Sequence, residues 1–209
     1  MRRLLSLTIL ALSLVACSSD DERAYPSVVT EMVVMRSDDS GTIRSFVTDA
    51  QKSYVLVKPY TGVKANAAWR MLLGYALEES GEASVYAMEP VVVLRDSTTS
   101  EDLRRDPIGF VSCWRSGRYV NLHLRPKTQG GVHYWAYARE SATNNGGGGT
   151  TYSLLLHHRQ GDDPTAYSTD AYLSIPVDSV SKEISNSDSI IITMATFDGQ
   201  RSCRLGLSH

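Results

Sequence analysis

Beyond its N-terminal segment, the chain alternates apolar and polar residues in short runs and shows no repeated helical periodicity. The runs are rich in Val, Ile, Tyr and Thr, and Gly, Asp, Asn and Pro separate them, so the pattern predicts an all-β protein. The first half gives strands at 28–35, 42–48 and 53–57, joined by the turn-forming stretches "RSDDSG" and "TDAQK". The segment "ANAAWRMLLGYALEESGE" is ambiguous. Its Ala, Leu, Met and Glu favour a helix, yet Trp69, Met71, Leu73, Tyr75 and Leu77 alternate as in a strand. A further strand at 83–93 is bent or interrupted at Pro90, which cannot donate to a ladder.

No apolar pattern crosses "RDSTTSEDLRRD", which places a linker at 96–106 between units at 28–95 and 107–209. The second unit gives seven strands: 108–114, 119–124, 132–138, 151–158, 171–176, 190–196 and 201–207. Short strands at this spacing suggest a sandwich. "RSGR" and "FDGQ" read as hairpin turns. "NNGGGG" at 144–149 leads into the strand-like "TTYSLLL", whereas a phosphate cradle needs a helix start there.

The N-terminus adds a location. Arg2 and Arg3 precede an apolar run at 4–15, too short to span a bilayer, which needs about 20 residues. Leu14-Val15-Ala16-Cys17 then resembles the lipobox of bacterial lipoproteins, which implies a leader at 1–16 and an acylated Cys17 moored to the membrane. Residues 17–27 form a polar tether. Its Asp20-Asp21-Glu22 resembles a surface-display signal of Bacteroidota-type bacteria; a solvated tether would carry such charges too. The expected location is the outer membrane, facing outward, with the periplasmic leaflet as the alternative.

A net charge of −2 steers the chain toward no polyanion, so no nucleic-acid partner is expected. Cys113 and Cys203 remain beside Cys17. An export compartment permits a bridge between them, and two separate buried thiols are the other reading.

With the lipobox leader, "YPSVVTEMVVMRSDDSGTIRSFVTDAQKSYVLV", the segment carrying Arg70 and Tyr75, "EPVVVL", "DPIGFVSCWRSGRYVNLHL", "HYWAYA", "YSLLLHHRQGDD" and "YLSIPV" together resemble the NigD-like lipoproteins of Bacteroidota-type bacteria. The resemblance implies a small OB-like barrel followed by a β-sandwich, and makes 69–78 a barrel strand. It also implies a role in bacteriocin self-immunity, which rests on gene association. An OB-like barrel often binds oligonucleotides or oligosaccharides, but Tyr54, Tyr60, Trp69, Tyr75 and Tyr86 have few cations near them and read better as core.

Little catalytic chemistry stands out. There is no "GxSxG" elbow, and no carboxylate lies in an apolar setting that would raise its pKa. Three imidazoles among His123, His133, His157 and His158 could hold zinc, yet no strand supplies an i, i+2 His pair, and His157 and His158 point to opposite faces. Asp162 and Asp163 lack calcium-loop spacing. A non-enzyme without metal or cofactor is therefore expected, with a hydrolase of envelope or dietary glycans as the catalytic alternative. Tyr outnumbers Phe by 11 to 3, and Tyr can bury its ring while keeping one end wet. Tyr119, Asn121 and His123 share one face of their strand, and His133, Trp135 and Tyr137 share one face of theirs. These six residues are the predicted contact surface for an extracellular peptide, protein or glycan.

Overall fold

The computed structural model describes residues 26–97 and 104–208. The leader, Cys17 and most of the tether lie outside the described residues. The regular structure of the described chain is nearly all strand, with one four-residue helix. The N-terminal strands are β1 (Val29–Ser37), β2 (Ile43–Thr48), β3 (Ser53–Tyr60), β4 (Ala68–Leu77) and β5 (Ala83–Val93). They lie in the order β3-β2-β1-β4-β5, and a parallel bridge between Leu56 and Ala83 closes them into a five-stranded barrel.

The ambiguous segment is β4. It pairs with β1 from Val29↔Tyr75 to Arg36↔Ala68 and with β5 on its other edge. Alternation turns Trp69, Met71, Leu73 and Tyr75 into the barrel core. Helix propensity differs by only tenths of a kcal/mol per residue, whereas burying one large apolar side chain is worth about 1.5–3 kcal/mol. Tertiary packing therefore decides the segment. Phe46, Tyr54 and Tyr75 form a ring cluster with centroids 4.8–5.7 Å apart. Gly74 lies where β4 and β5 slip register, and a Cβ there would press on Ala87.

The C-terminal part comprises β6 (Gly109–Ser116), β7 (Tyr119–Arg125), β8 (Lys127–Thr128), β9 (Tyr134–Asn144), β10 (Thr150–Arg159), β11 (Tyr167–Ser168), β12 (Ala171–Pro176), α1 (Val177–Val180), β13 (Ser189–Thr196) and β14 (Gly199–Gly206). The strands β12, β7 and β6 face a second sheet ordered β14-β13-β10-β9, and Leu122, Leu124, Leu154, Leu173, Ile190 and Ile192 fill the space between. The short pair β8–β11 and the four-residue helix were not expected from the alternation. The expected strand at 132–138 is β9, which extends to Asn144.

The two parts share a strand. Residues 83–90 of β5 pair with β4, and Val91, Val92 and Val93 pair in parallel with Tyr172, Leu173 and Ser174 of β12. Pro90, which lacks an N–H, marks the change of neighbour. A single eight-stranded sheet thus runs from the barrel into the sandwich. The described flanks of the 96–106 stretch are laid along the second sheet. Asp96 bridges to Tyr137 and Arg105 to His158, with the Ser97 N–H donating to the Tyr137 carbonyl at 2.8 Å. Cys113 on β6 and Cys203 on β14, the facing edges of the two sheets, form a disulfide with a Cα–Cα separation of 6.7 Å.

Candidate functional site

The residue that breaks the apolar run of β4 organises the contact between the two parts. Alternation puts Arg70 on the outer face of the barrel, under the sandwich, and its side chain is 1% exposed. A buried guanidinium needs partners for its donors. Nη1 and Nη2 donate to the two carboxylate oxygens of Asp49, each at 2.7 Å. Nε donates to Ser174 Oγ at 2.7 Å, and Nη2 also donates to Asn121 Oδ1 at 3.1 Å. The Ser174 hydroxyl donates in turn to Asn121 Oδ1 at 2.6 Å, and the Ser116 hydroxyl donates to Asp49. The ring of Tyr119 lies 3.6 Å from the guanidinium carbon, a cation–π contact.

Five separate chain segments therefore converge on one cation. Asp49 comes from the β2–β3 turn and Arg70 from β4, both of the barrel. Ser116, Tyr119 with Asn121, and Ser174 come from β6, β7 and β12. Gly117, in the β6–β7 turn, sits at φ +53°, and any Cβ there would strike the Asp49 carbonyl. Asn121 Nδ2 is buried without a hydrogen-bond partner. Such a cluster fixes geometry more than it adds stability, because desolvating two charges offsets most of their attraction.

Beside the clamp lies a cleft of about 420 Å³. Barrel residues Arg36, Thr48, Asp49 and Gln51 line one side, and Arg118, Tyr119 and Asp178 of the sandwich line the other. Arg118 pairs with Asp178 at 2.6 Å on the exposed rim. Arg36 is exposed and forms no side-chain ion pair among the described residues. Gln51 holds φ +62°, a left-handed conformation unusual for a residue with a Cβ. The cleft thus presents one unpaired cation, one exposed ion pair, an aromatic edge and an amide side chain on a left-handed backbone, which suits polar recognition.

The six residues of the predicted contact surface do not form one surface. On β7, Val120, Leu122 and Leu124 face the core and Tyr119, Asn121 and His123 face outward, but the barrel covers that outer face. Asn121 is fully buried in the clamp and Tyr119 lies under Arg70. Tyr119 keeps an edge in the cleft, and His123 reaches the surface stacked on Tyr172 and 2.7 Å from Asp170. Arg125 and then His123 hold the Asp170 carboxyl below its usual range. On β9, the face carrying Trp135 and Tyr137, with His133 just ahead of the strand on the same side, points inward. Tyr137 is fully buried, with its hydroxyl 2.8 Å from Ser179 Oγ, and burial pushes its pKa up. Trp135 stacks on His158. The exposed ring of β9 is Tyr134, on the opposite face.

The histidines also sort differently from a zinc site. His133 meets His158 and Asp163, His123 is elsewhere with Asp170, and no group of three or more His, Cys, Asp or Glu among the described residues is arranged to hold a metal ion. The Asp163–His133–His158 chain has the order of a catalytic relay but ends on the backbone carbonyl of Asp106, and the hydrogen bonds of the two imidazoles run to each other, to Asp163 and to that carbonyl rather than to a hydroxyl or thiol nucleophile.

Asp49, Ser116 and Ser174 were missed as site residues. The signal available was Arg70, a lone charge in an otherwise apolar alternating run, which has to find an anion. Nothing in the sequence says which one.

Residues 90–206, more than half of the chain, match the NigD-like C-terminal beta sandwich domain. The chain belongs to the NigD-like family. The match begins at Pro90, where β5 leaves the barrel for the sandwich. No curated protein matches the sequence. Among solved structures, the chain is similar to a NigD-like immunity protein from Bacteroides caccae, with 24% identity, a TM-score of 0.67, and 88% of this chain and 94% of that one covered. It is also similar to a Parabacteroides distasonis protein named as toxin-related, with 15% identity, a TM-score of 0.66 and coverage of 87% and 93%. A third is a Bacteroides fragilis protein named as a lipoprotein, with 11% identity, a TM-score of 0.64 and coverage of 88% and 99%. At these identities the likeness is one of fold. No helix among the described residues is long and apolar enough to cross a membrane.

Proposed function

We propose that this NigD-like chain is a lipid-anchored, non-catalytic envelope protein that works by docking an extracellular peptide, protein or glycan. The observation that carries this reading is the Arg70 clamp. It spends nearly all of the guanidinium's donors on holding barrel and sandwich together, and leaves beside it a cleft with an unpaired Arg36. A preset recognition surface lowers the ordering cost of binding. Acylation of Cys17 moors the body, and Asp20-Asp21-Glu22 directs it to the outer face of the outer membrane.

The more specific version is self-immunity toward a bacteriocin, which the name of the Bacteroides caccae relative supports. Its test is deletion of the gene in the producing strain. Sensitisation to the strain's own peptide is expected, and unchanged survival rejects self-immunity. Docking itself is tested with the mature body as bait on intact cells and candidate peptides. Capture by the wild type that falls at least about tenfold in Arg36→Ala supports the cleft; equal capture by both proteins excludes it as the docking site.

A further inference from the structure

A second buried polar cluster joins three stretches of the sandwich around His133 and His158. The His133 side chain is 8% exposed and that of Asp163 4%. His158 Nδ1 faces the Asp106 carbonyl oxygen at 3.0 Å, His158 Nε2 faces His133 Nδ1 at 2.8 Å, and His133 Nε2 faces Asp163 Oδ2 at 2.9 Å.

The donors in this chain can be counted. A carbonyl oxygen only accepts, so His158 Nδ1 carries a proton. Asp163 already accepts from the Thr128 hydroxyl and from the Gln129 N–H at 3.0 Å. The Thr128 bond leads the causes that bring the Asp163 carboxyl down to about 2. It is therefore an ionised acceptor, and His133 Nε2 carries a proton as well. Two ring nitrogens 2.8 Å apart need a third proton between them, since two lone pairs facing at that distance repel. Three protons on two imidazoles give the pair one positive charge, matched by Asp163.

Other groups face the pair too. Asp106, from the stretch before β6, approaches His158 and accepts the Gln160 N–H on its carboxylate at 2.8 Å. The same stretch supplies the Arg104 carbonyl, which accepts the backbone N–H of His158 at 3.1 Å. From β9, Trp135 stacks on His158 at 4.2 Å between centroids. Burial pushes His158 below the usual imidazole range.

We propose that this one shared proton is a latch, fastening the stretches 104–108, 128–133 and 158–163 to each other and setting the shape of the groove beside them. That groove, of about 600 Å³, is lined by Arg104, Val132, Tyr134, Arg159 and Asp162. Tyr134 and Val132 are exposed there, and the Arg159 guanidinium covers the Tyr134 ring at 4.3 Å. When the proton leaves as pH rises, two protons remain for three contacts, so one of them must be given up: His158 to the Asp106 carbonyl, His158 to His133, or His133 to Asp163. The three stretches then loosen and the groove changes. The device sits apart from the Arg70 cleft and does not depend on the docking reading.

The test is histidine ring ¹⁵N spectroscopy on the whole mature protein between about pH 5 and 8, read together with amide hydrogen exchange. Three protonated ring nitrogens on His133 and His158 at the acid end, followed by loss of a single proton common to both rings, are expected. Exchange at amides 129–131 and 161–163 should accelerate about tenfold beyond the intrinsic rise seen in the sheet cores as that proton leaves. His133→Gln should abolish this excess. Two protons on the pair at the acid end, or amide protection that does not follow the ring titration, would overturn the latch. Should His133→Gln fail to fold, the wild-type ring spectra decide alone.

Discussion

Arg70 of strand β4 and Asp49 of the β2–β3 turn meet in a two-pronged ion pair at 2.7 Å on each side, and the pair is sealed by side chains of the sandwich. Removing one partner strands a charge without solvent. Arg70→Met and Asp49→Leu should each cost about 3–5 kcal/mol. The pair Arg70→Met with Asp49→Leu should cost clearly less than the sum of the singles, because no lone charge is left. Denaturant melts of the four proteins check this; additive losses would mean that the two side chains do not depend on each other.

Gly117→Ala tests the approach of the two turns. The left-handed φ of +53° alone costs an L-residue about 1–2 kcal/mol, and the collision with the Asp49 carbonyl adds to it. Gly146→Ala is the control, since Gly146 has φ +71° with open space around it. Gly117→Ala should be the more destabilising on the same denaturant scale. Equal losses would mean the turns are not in contact.

The acid limb of stability should depend on Asp163. Its carboxyl sits at about 2, led by the Thr128 hydroxyl with His133 and backbone N–H groups behind it. An unfolded Asp titrates near about 3.9. The folded value is depressed, so the stabilisation is complete above the unfolded value and disappears as pH falls toward about 2. Asp38, Asp170 and Asp188 are shifted in the same direction. On the acid side stability should decline below about pH 4, and Asp163→Asn should make that decline shallower. An unchanged slope in Asp163→Asn, followed by melts at stepped pH, would remove Asp163 from the explanation.

The Cys113–Cys203 bridge closes a separation of 90 residues, which the chain-entropy account values at about 4–5 kcal/mol. Non-reducing peptide mapping should recover the joined peptides, and reductant should lower the denaturant midpoint of the wild type but not that of Cys113→Ser/Cys203→Ser. Two free thiols in the untreated protein would contradict the pairing.

How much of this was legible in the sequence follows from what alternation encodes. Alternation reports which residues share a face, and it did so correctly for Val120, Leu122 and Leu124 against Tyr119, Asn121 and His123. It does not report what covers a face, so Asn121 read as surface although the barrel lies over it. On β9 it paired His133, Trp135 and Tyr137 properly but could not say that their side is the inner one, because Tyr134 on the other side looks equally amphipathic. In β4 the same alternation competed with helix propensity, and only pairing with both β1 and β5 decides between them. Long-range meetings such as Arg70 with Ser174, 104 positions apart, carry no local mark.

Barrel and sandwich are joined into one body by the shared β5 and the Arg70 clamp. Spin labels at exposed Glu79 of the barrel and Gln200 of the sandwich, read by pulsed dipolar spectroscopy on the mature protein, test it most directly. A single narrow distance distribution in the wild type, broadened by Arg70→Met, is the predicted result. A broad or two-peaked distribution in the wild type would contradict it.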